Sequence, residues 1–204
     1  YNPDLLDANF FVPGLIAIIL QFILSFLTAF SIARERESGT LEQMFVTPVS
    51  PSGLLFGKLI PYAGLAFVEL VIVILVMNFL FKVPVTGSVI QLFGVCVLFI
   101  LTALGLGLMV STFAETQLQA LQATFLIMLP SVLLSGFVFP RSEMPLILYA
   151  LGAVLPATYF VDLLRGIIIR GAGILDLVPS LVGLAICFAA IISISLFRSK
   201  KTID

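Results

Sequence analysis

The residue types that most often perform catalysis or bind metals are scarce in this sequence of 204 residues. It contains no His, and Cys96 and Cys187 both lie within apolar runs, where cysteine usually behaves as a small buried hydrophobic residue. Gly57 and Lys58 resemble part of a phosphate-binding loop, but Leu59 stands where such a loop needs a hydroxyl for Mg²⁺. We therefore expect no catalytic residue, no metal site and no cofactor bound by this chain.

Glu69 is the only charged residue between positions 59 and 81. It lies eleven residues after Lys58, which is roughly 16 Å along a helix. A carboxyl group at that depth in a membrane is either a cation or proton contact in a transport pathway or a protonated group bonded to a neighbouring helix. Candidate partners for the second interpretation are Gln21, Gln91 and Thr102.

A stripe of polar residues recurs at intervals of three to four within the first apolar run. Its members are Gln21, Ser25, Thr28 and Ser31, which share roughly one face of a helix. Such a stripe either borders a transport pathway or forms hydrogen bonds between helices. We favour hydrogen bonding, because Ser and Thr commonly have that role between membrane helices.

Lipid is the predicted solvent for most of the chain. Hydrophobic residues make up 61% of it and charged residues 10%, against about 25% charged in soluble domains. The net charge of −1 offers no basic surface for nucleic acid. Continuous apolar runs of about 20 residues predict membrane-spanning helices rather than barrel strands. Five such runs lie at 11–33, 59–81, 88–113, 120–139 and 177–197.

The segment between the fourth and fifth runs has a different pattern. Residues 140–145 are polar and bounded by prolines, and 146–155 are apolar but too short to cross a bilayer. After Pro156, residues 157–171 have apolar side chains at helical spacing beside Asp and Arg. We predict a re-entrant or interfacial segment followed by an amphipathic helix near the lipid headgroups. Separately, Gly105 and Gly107 in the third run predict close packing against another helix.

Basic residues are distributed unevenly about these spans. If the first loop and the C terminus are cytoplasmic, that side carries six Lys and Arg residues and the outer side four. The six lie close to span ends, where this bias sets orientation. Residue 1 then falls on the outer side. We therefore expect residues 1–204 to form one membrane domain of a longer protein, with a further span upstream.

The predicted cytoplasmic loop, residues 34–58, contains a short amphipathic helix. Thr40 and Gln43 have the spacing of a capping box. Leu41, Met44 and Phe45 then share one face of the helix. Two interpretations suit this apolar face equally: the helix lies on lipid, or it docks onto a cytoplasmic partner.

Several motifs together resemble the permease subunit of type-2 ATP-binding cassette (ABC) exporters, and the bacterial multidrug-efflux type in particular. The resemblance covers essentially the whole chain. The residues that carry it are FFVPGL at 10–15, ARERESGTLEQMFVTPVSP at 33–51, STFAETQLQA at 111–120, LSGFVFP at 134–140 with MP at 144–145, and LPATYFVDLLRGIIIRG at 155–171.

This resemblance implies a fold of six spans per subunit, the first of which lies upstream and is followed in many members by a large external domain. It implies a coupling segment that receives motion from an ATPase, formed by Arg34, Glu35, Arg36, Glu37, Gly39, Thr40, Leu41, Glu42, Gln43, Met44 and Phe45. It also implies a re-entrant hairpin that caps the pathway on the outer side, marked by Ser135, Gly136, Pro140, Met144, Pro145 and Pro156.

The partners implied by the resemblance are nucleotide-binding ATPase subunits, which bind ATP and Mg²⁺, and a second permease subunit in a homodimer or heterodimer. Membrane lipid surrounds the subunit in a bacterial cytoplasmic membrane, and a periplasmic protein is a further candidate partner. The expected function is export of an apolar or amphipathic substrate by alternating access. The alternatives are an ion-driven transporter or channel that uses Glu69, for which the internal repeats typical of that class are not evident, and a membrane assembly factor.

Purified alone, this chain is expected to hydrolyse no ATP, because it contains no phosphate-binding loop. Phosphate release by the isolated chain in detergent measures this directly. Hydrolysis that persists after removal of contaminating ATPases would contradict the expectation.

Overall fold

The computed structural model describes residues 3–39, 51–79 and 86–201. Within these ranges the chain forms seven α-helices and one short 3₁₀ helix, and no strand. They are α1 (Pro3–Glu37), α2 (Pro51–Phe79), α3 (Val89–Phe113), α4 (Gln117–Leu134), the 3₁₀ helix (Arg141–Glu143), α5 (Leu146–Gly152), α6 (Pro156–Ile168) and α7 (Ile174–Lys201). The predicted all-α membrane fold is confirmed.

Five of the described helices, α1, α2, α3, α4 and α7, contain stretches long and apolar enough to cross a bilayer. The bundle they form has two ends. We call the end with residues 135–156 the hairpin end, where Phe11 near the start of α1 contacts Phe137. The opposite end, where Glu37 contacts Gln117, is the Glu37 end. Helix α1 therefore extends from one end of the bundle to the other.

Local signals account for the helix boundaries. Gly39 has a φ of +70°, and its N–H donates to the Arg36 carbonyl after the last turn of α1. Helix α2 begins at Pro51, as proline at a first helical position predicts. The hydroxyl of Thr116 accepts a hydrogen bond from the Gln119 N–H and caps the start of α4.

Helix α3 lies in the centre of the bundle and packs closely against α1 and α7. The Phe99 ring is fully buried and stacks on that of Phe160, with 3.7 Å between centroids. A β-carbon added at Gly107 would lie 2.6 Å from the Ser25 carbonyl oxygen, and one at Gly105 would lie 2.9 Å from Cδ1 of Ile192. The close helix approach predicted from these two glycines is confirmed.

Helix α5 lies in the segment predicted to be re-entrant or interfacial, and it meets α6 at an angle of 89°. The predicted amphipathic helix is present as α6, but its apolar face is covered by protein instead of facing lipid headgroups. Helices α1, α3 and α7 all contact α6. The side chains of this face are at most 1% exposed, namely Phe160, Leu163, Leu164, Ile167 and Ile168.

The prediction of the fourth span at 120–139 is wrong at its C-terminal end, because it extends past the end of the observed helix. Helix α4 ends at Leu134, and residues 135–139 form a bend. Gly136 has a φ of +86°, which turns the chain away from the helix axis. The residues of the bend are mostly apolar, so hydropathy alone does not distinguish them from a continued helix.

Replacing Gly107 by Ala is expected to lower the stability of the bundle by about 1–3 kcal/mol, because the new methyl group would overlap the α1 backbone. Gly94→Ala is the matched control in the same helix, since a β-carbon there has no heavy atom within 4 Å. Thermal unfolding in detergent compares the two variants. Equal midpoints for both would contradict the contact at Gly107.

Candidate functional site

The described part of the predicted coupling segment lies in and just after the last turn of α1. Arg34, Glu35, Arg36 and Glu37 complete the helix, and Gly39 follows in a turn. The remaining predicted members, Thr40, Leu41, Glu42, Gln43, Met44 and Phe45, lie outside the described residues.

Two neighbouring charges at this point contact the connection between α3 and α4. The Arg36 guanidinium donates from Nη1 to the Ala114 carbonyl oxygen at 2.9 Å. The carboxylate oxygen Oε2 of Glu37 accepts from both the backbone N–H and the side-chain amide of Gln117, each at 3.0 Å. These contacts join positions about 80 residues apart in the sequence.

The signs of these charges match the helix ends that they meet. Ala114 is the C-terminal cap of α3, where carbonyl groups are unpaired and carry partial negative charge. Gln117 is the first residue of α4, where N–H groups are unpaired and carry partial positive charge. Arg36 therefore complements the end of one helix and Glu37 the start of the next.

The predicted pathway residues of α1 are buried between helices. Gln21, Ser25 and Thr28 are between 1% and 3% exposed. The Gln21 amide donates to the Ser131 hydroxyl on α4 at 3.0 Å, and the Ser25 hydroxyl donates to the Ala103 carbonyl on α3 at 3.1 Å. In this conformation Gln21 and Ser25 therefore hold α1 to its neighbours, whereas the buried Thr28 hydroxyl has no hydrogen-bond partner among the described residues.

A small cavity adjoins this stripe between α1, α3 and α4. Its volume is about 10 Å³, and Gln21, Ser25 and Thr124 supply its polar lining. In the described part of the chain, Oε1 of Gln21 is buried without a hydrogen-bond partner. A space of this size holds roughly one water molecule. This cavity is therefore too small for an organic substrate.

Glu69, the remaining predicted pathway residue, lies on α2 and is half-buried. Among the described residues, its Oε1 atom is buried and has no hydrogen-bond partner. Of the partners suggested from the sequence, Gln21 donates to Ser131, and the Thr102 hydroxyl donates to the Leu98 carbonyl of its own helix. The role of Glu69 stays a prediction.

The residues predicted to mark the hairpin all lie at its turns. Ser135 caps α4 and accepts a hydrogen bond from the Phe137 N–H, and Gly136 makes the bend after it. The other positions flank the short helices: Pro140 before the 3₁₀ helix, Met144 and Pro145 between it and α5, and Pro156 at the first position of α6.

Arg165 of α6 fastens this bend, a role that the sequence did not reveal. Its guanidinium donates to the carbonyl of Gly136 at 2.8 Å and to that of Phe137 at 3.4 Å. The available signal was a cation within a largely apolar helix, because such a side chain needs polar partners. Periodicity assigned it to the lipid headgroups instead.

Phe137 occupies a notch in α1 that Gly14 creates. A β-carbon at Gly14 would lie 2.5 Å from Cδ2 of the Phe137 ring and 3.4 Å from Nη2 of Arg165. The ring also meets Phe11 edge to face, with centroids 5.9 Å apart. The hairpin end of α1 is therefore in direct contact with the bend that follows α4.

A second cation, Arg141, holds together the 3₁₀ helix, α5 and α6. Cζ of Arg141 lies 4.2 Å from the centroid of the Tyr149 ring, and its Nη2 donates to the Tyr149 carbonyl at 3.3 Å. Its Nη1 lies 3.9 Å from a carboxylate oxygen of Asp162 on α6. These contacts close the 3₁₀ helix and α5 onto α6.

Comparison with known proteins agrees with this architecture. The family model of ABC-2 type transporters matches residues 3–169, which is most of the chain. The chain belongs to this family, and its five long apolar helices are those of a multi-pass membrane protein.

Three curated relatives come from Escherichia coli. The chain is 35% identical over 205 residues to the probable multidrug ABC transporter permease YbhS, covering 100% of this chain and 54% of the relative. It is 36% identical over 178 residues to the probable multidrug ABC transporter permease YbhR, covering 87% and 48%. It is 31% identical over 210 residues to the inner membrane transport permease YhhJ, covering 100% and 54%. The chain thus spans about half the length of these relatives.

Arg165→Met is expected to loosen residues 135–139, because two backbone carbonyls of the bend lose their donor in an apolar setting. Amide hydrogen exchange of the bend should speed up by roughly tenfold, as loss of about 1.4 kcal/mol of local stability requires. The exposed Arg170 supplies the control, Arg170→Met. Equal exchange in both variants would exclude the fastening role of Arg165.

Proposed function

We propose that this chain is the membrane-spanning part of an exporter permease, which moves its substrate outward by alternating access while a separate ATPase subunit hydrolyses ATP. The observation that carries the proposal is the continuity of α1. This helix has 35 residues and is therefore roughly 50 Å long. It contacts the hairpin bend at one end, and its last turn at the other end is the start of the predicted coupling segment.

The ATPase is the source of motion in this proposal. ATP and Mg²⁺ bind at that subunit, and closure of the ATPases on ATP displaces the coupling segment. The segment begins in the last turn of α1, so its displacement acts on a helix that already bonds to α3 and α4. The family membership favours this mechanism over an ion-driven transporter that uses Glu69.

The arrangement proposed in the membrane follows from the distribution of basic residues. The Glu37 end and the C terminus lie in the cytoplasm of a bacterial cell, and the hairpin end and residue 1 lie on the outer side. A second permease subunit, identical or homologous, completes the transporter, and the hairpin closes the pathway on its outer side. A periplasmic protein is a further candidate partner there.

The proposed substrate is apolar or amphipathic. Two of the relatives are named as probable multidrug permeases. The polar side chains that join α1 to α3 and α4 within the bundle, Gln21, Ser25 and Ser131, are uncharged. A pathway opening along these helices would present mainly apolar side chains, which suit a hydrophobic solute.

Charge reversal at Glu42 distinguishes docking from lipid binding as the role of the amphipathic helix. Glu42→Arg in the full-length permease is expected to reduce co-purification of the ATPase by about tenfold or more. The reason is that a reversed charge in a protein interface repels the groups that complement the original one. A helix that only lies on lipid would tolerate the added cation, since anionic headgroups attract it.

The control is Glu143→Arg, the same reversal at the exposed 3₁₀ helix of the hairpin end. Recovery of the ATPase at the wild-type level with both variants would contradict docking through this helix. Absence of any associated ATPase from the wild-type permease would contradict the proposed function itself.

A further inference from the structure

We propose that Arg36 and Glu37 are positioning residues that make the coupling segment and α4 move as one unit. The proposal rests on the proposed function, because it concerns how motion received from an ATPase reaches the rest of the permease. It assigns to these two charges a contact within the chain, in addition to any contact that the coupling segment makes with a partner.

The contacts are directed at the backbone, so they hold the main chain of the α3–α4 connection. Arg36 bonds the carbonyl of Ala114, and Glu37 bonds the N–H of Gln117 as well as its side chain. Only residues 115 and 116 lie between these two anchored positions. A displacement of the end of α1 is therefore delivered to the first turn of α4, and the short connection has little slack to absorb it.

Two further contacts join α1 to α4 along their length. Gln21 bonds Ser131 near the middle of the bundle, and the rings of Phe22 and Phe125 lie 5.1 Å apart. With the contact at Gln117, these pairs tie α1 to α4 at several levels. The two helices thus resist sliding past each other.

The same unit ends at the hairpin. Helix α4 leads through Ser135 into the bend, and Phe137 in that bend lies against Phe11 and Gly14 of α1. Movement of the α1 and α4 pair at the Glu37 end is therefore transmitted to residues 135–139. In this arrangement Arg36 and Glu37 join the coupling segment to the start of α4, and α1 and α4 together carry its movement to the hairpin.

Gln117→Pro removes the Glu37 contacts without removing a helix hydrogen bond. Gln117 is the first residue of α4, where proline is favoured, and its N–H bonds only to Glu37 among the described residues. Thr116 already has the extended conformation that a following proline requires, with φ −123° and ψ 159°. Glu37→Ala removes the same contacts from the other side, and Gln117→Ala removes only the side-chain donor.

The measurement uses the full-length permease with its ATPase subunits in lipid nanodiscs. Ser142→Cys at the exposed 3₁₀ helix serves as a reporter, labelled with a polar maleimide before and after trapping with ATP and vanadate. Cys96 and Cys187 are buried and are kept. Accessible cysteines elsewhere in the full-length permease and in the ATPase subunits are replaced. ATP hydrolysis is recorded for each complex. Glu115→Ala, an exposed carboxylate in the same connection, is the control.

In the wild-type and Glu115→Ala complexes, trapping is expected to change the labelling rate at position 142. Gln117→Pro should reduce this change by about fivefold or more while ATP hydrolysis continues. Glu37→Ala should reduce the labelling change by a similar factor. Gln117→Ala should have a smaller effect. The double variant Glu37→Ala with Gln117→Pro should be no worse than either single variant, because both remove one shared contact.

The proposal is overturned if both single variants keep the wild-type labelling change, or if their effects add in the double variant. It is also overturned if the wild-type complex hydrolyses ATP and labelling at position 142 does not respond, a result that leaves the proposed function intact. Loss of ATP hydrolysis by Gln117→Pro in parallel with loss of the labelling change would indicate a structural role only, and it also overturns the proposal. A wild-type permease that binds no ATPase contradicts the proposed function instead.

Discussion

The missing side chain of Gly107 sets the distance between α1 and α3, and the other contacts of α1 depend on that distance. At this point the α1 backbone lies where a β-carbon would otherwise be. Because the helices are this close, the Ser25 hydroxyl reaches the carbonyl of Ala103 on α3. The same placement of α1 brings Gln21 to Ser131 on α4. In a membrane, close packing and interhelical hydrogen bonds associate helices, so one small residue has a large effect.

Three charged side chains of the bundle have one property in common: they bond main-chain groups that helix ends or bends leave unpaired. Arg36 meets the last carbonyl of α3, Glu37 meets the first N–H of α4, and Arg165 meets two carbonyls of the bend after α4. Irregular backbone is tolerated at membrane depth only where such partners exist. These three charges therefore lie where helices end or bend, and the same positions connect one helix to the next.

The sequence predicted those features that depend on neighbouring residues. Apolar runs located the five spans, and Pro145 and Pro156 located the short helices of the hairpin, because proline acts on its own turn. The partner of Glu37 could not be predicted, since Gln117 is 80 positions away. Periodicity also showed that α6 has an apolar face, but not whether protein or lipid covers it. The end of α4 was misplaced because Gly136 changes backbone direction within an apolar run.

The notch at Gly14 restricts which motions α1 can make. The Phe137 ring fills the space that a β-carbon would occupy. Turning α1 about its own axis by one residue, about 100°, would replace Gly14 by Pro13 or Leu15 at that place. Either side chain would collide with the ring, and the backbone contact at Gly107 opposes the same rotation from the side of α3. Axial rotation of this helix is thus opposed at two separate levels, by the Phe137 ring at Gly14 and by the α1–α3 backbone contact at Gly107.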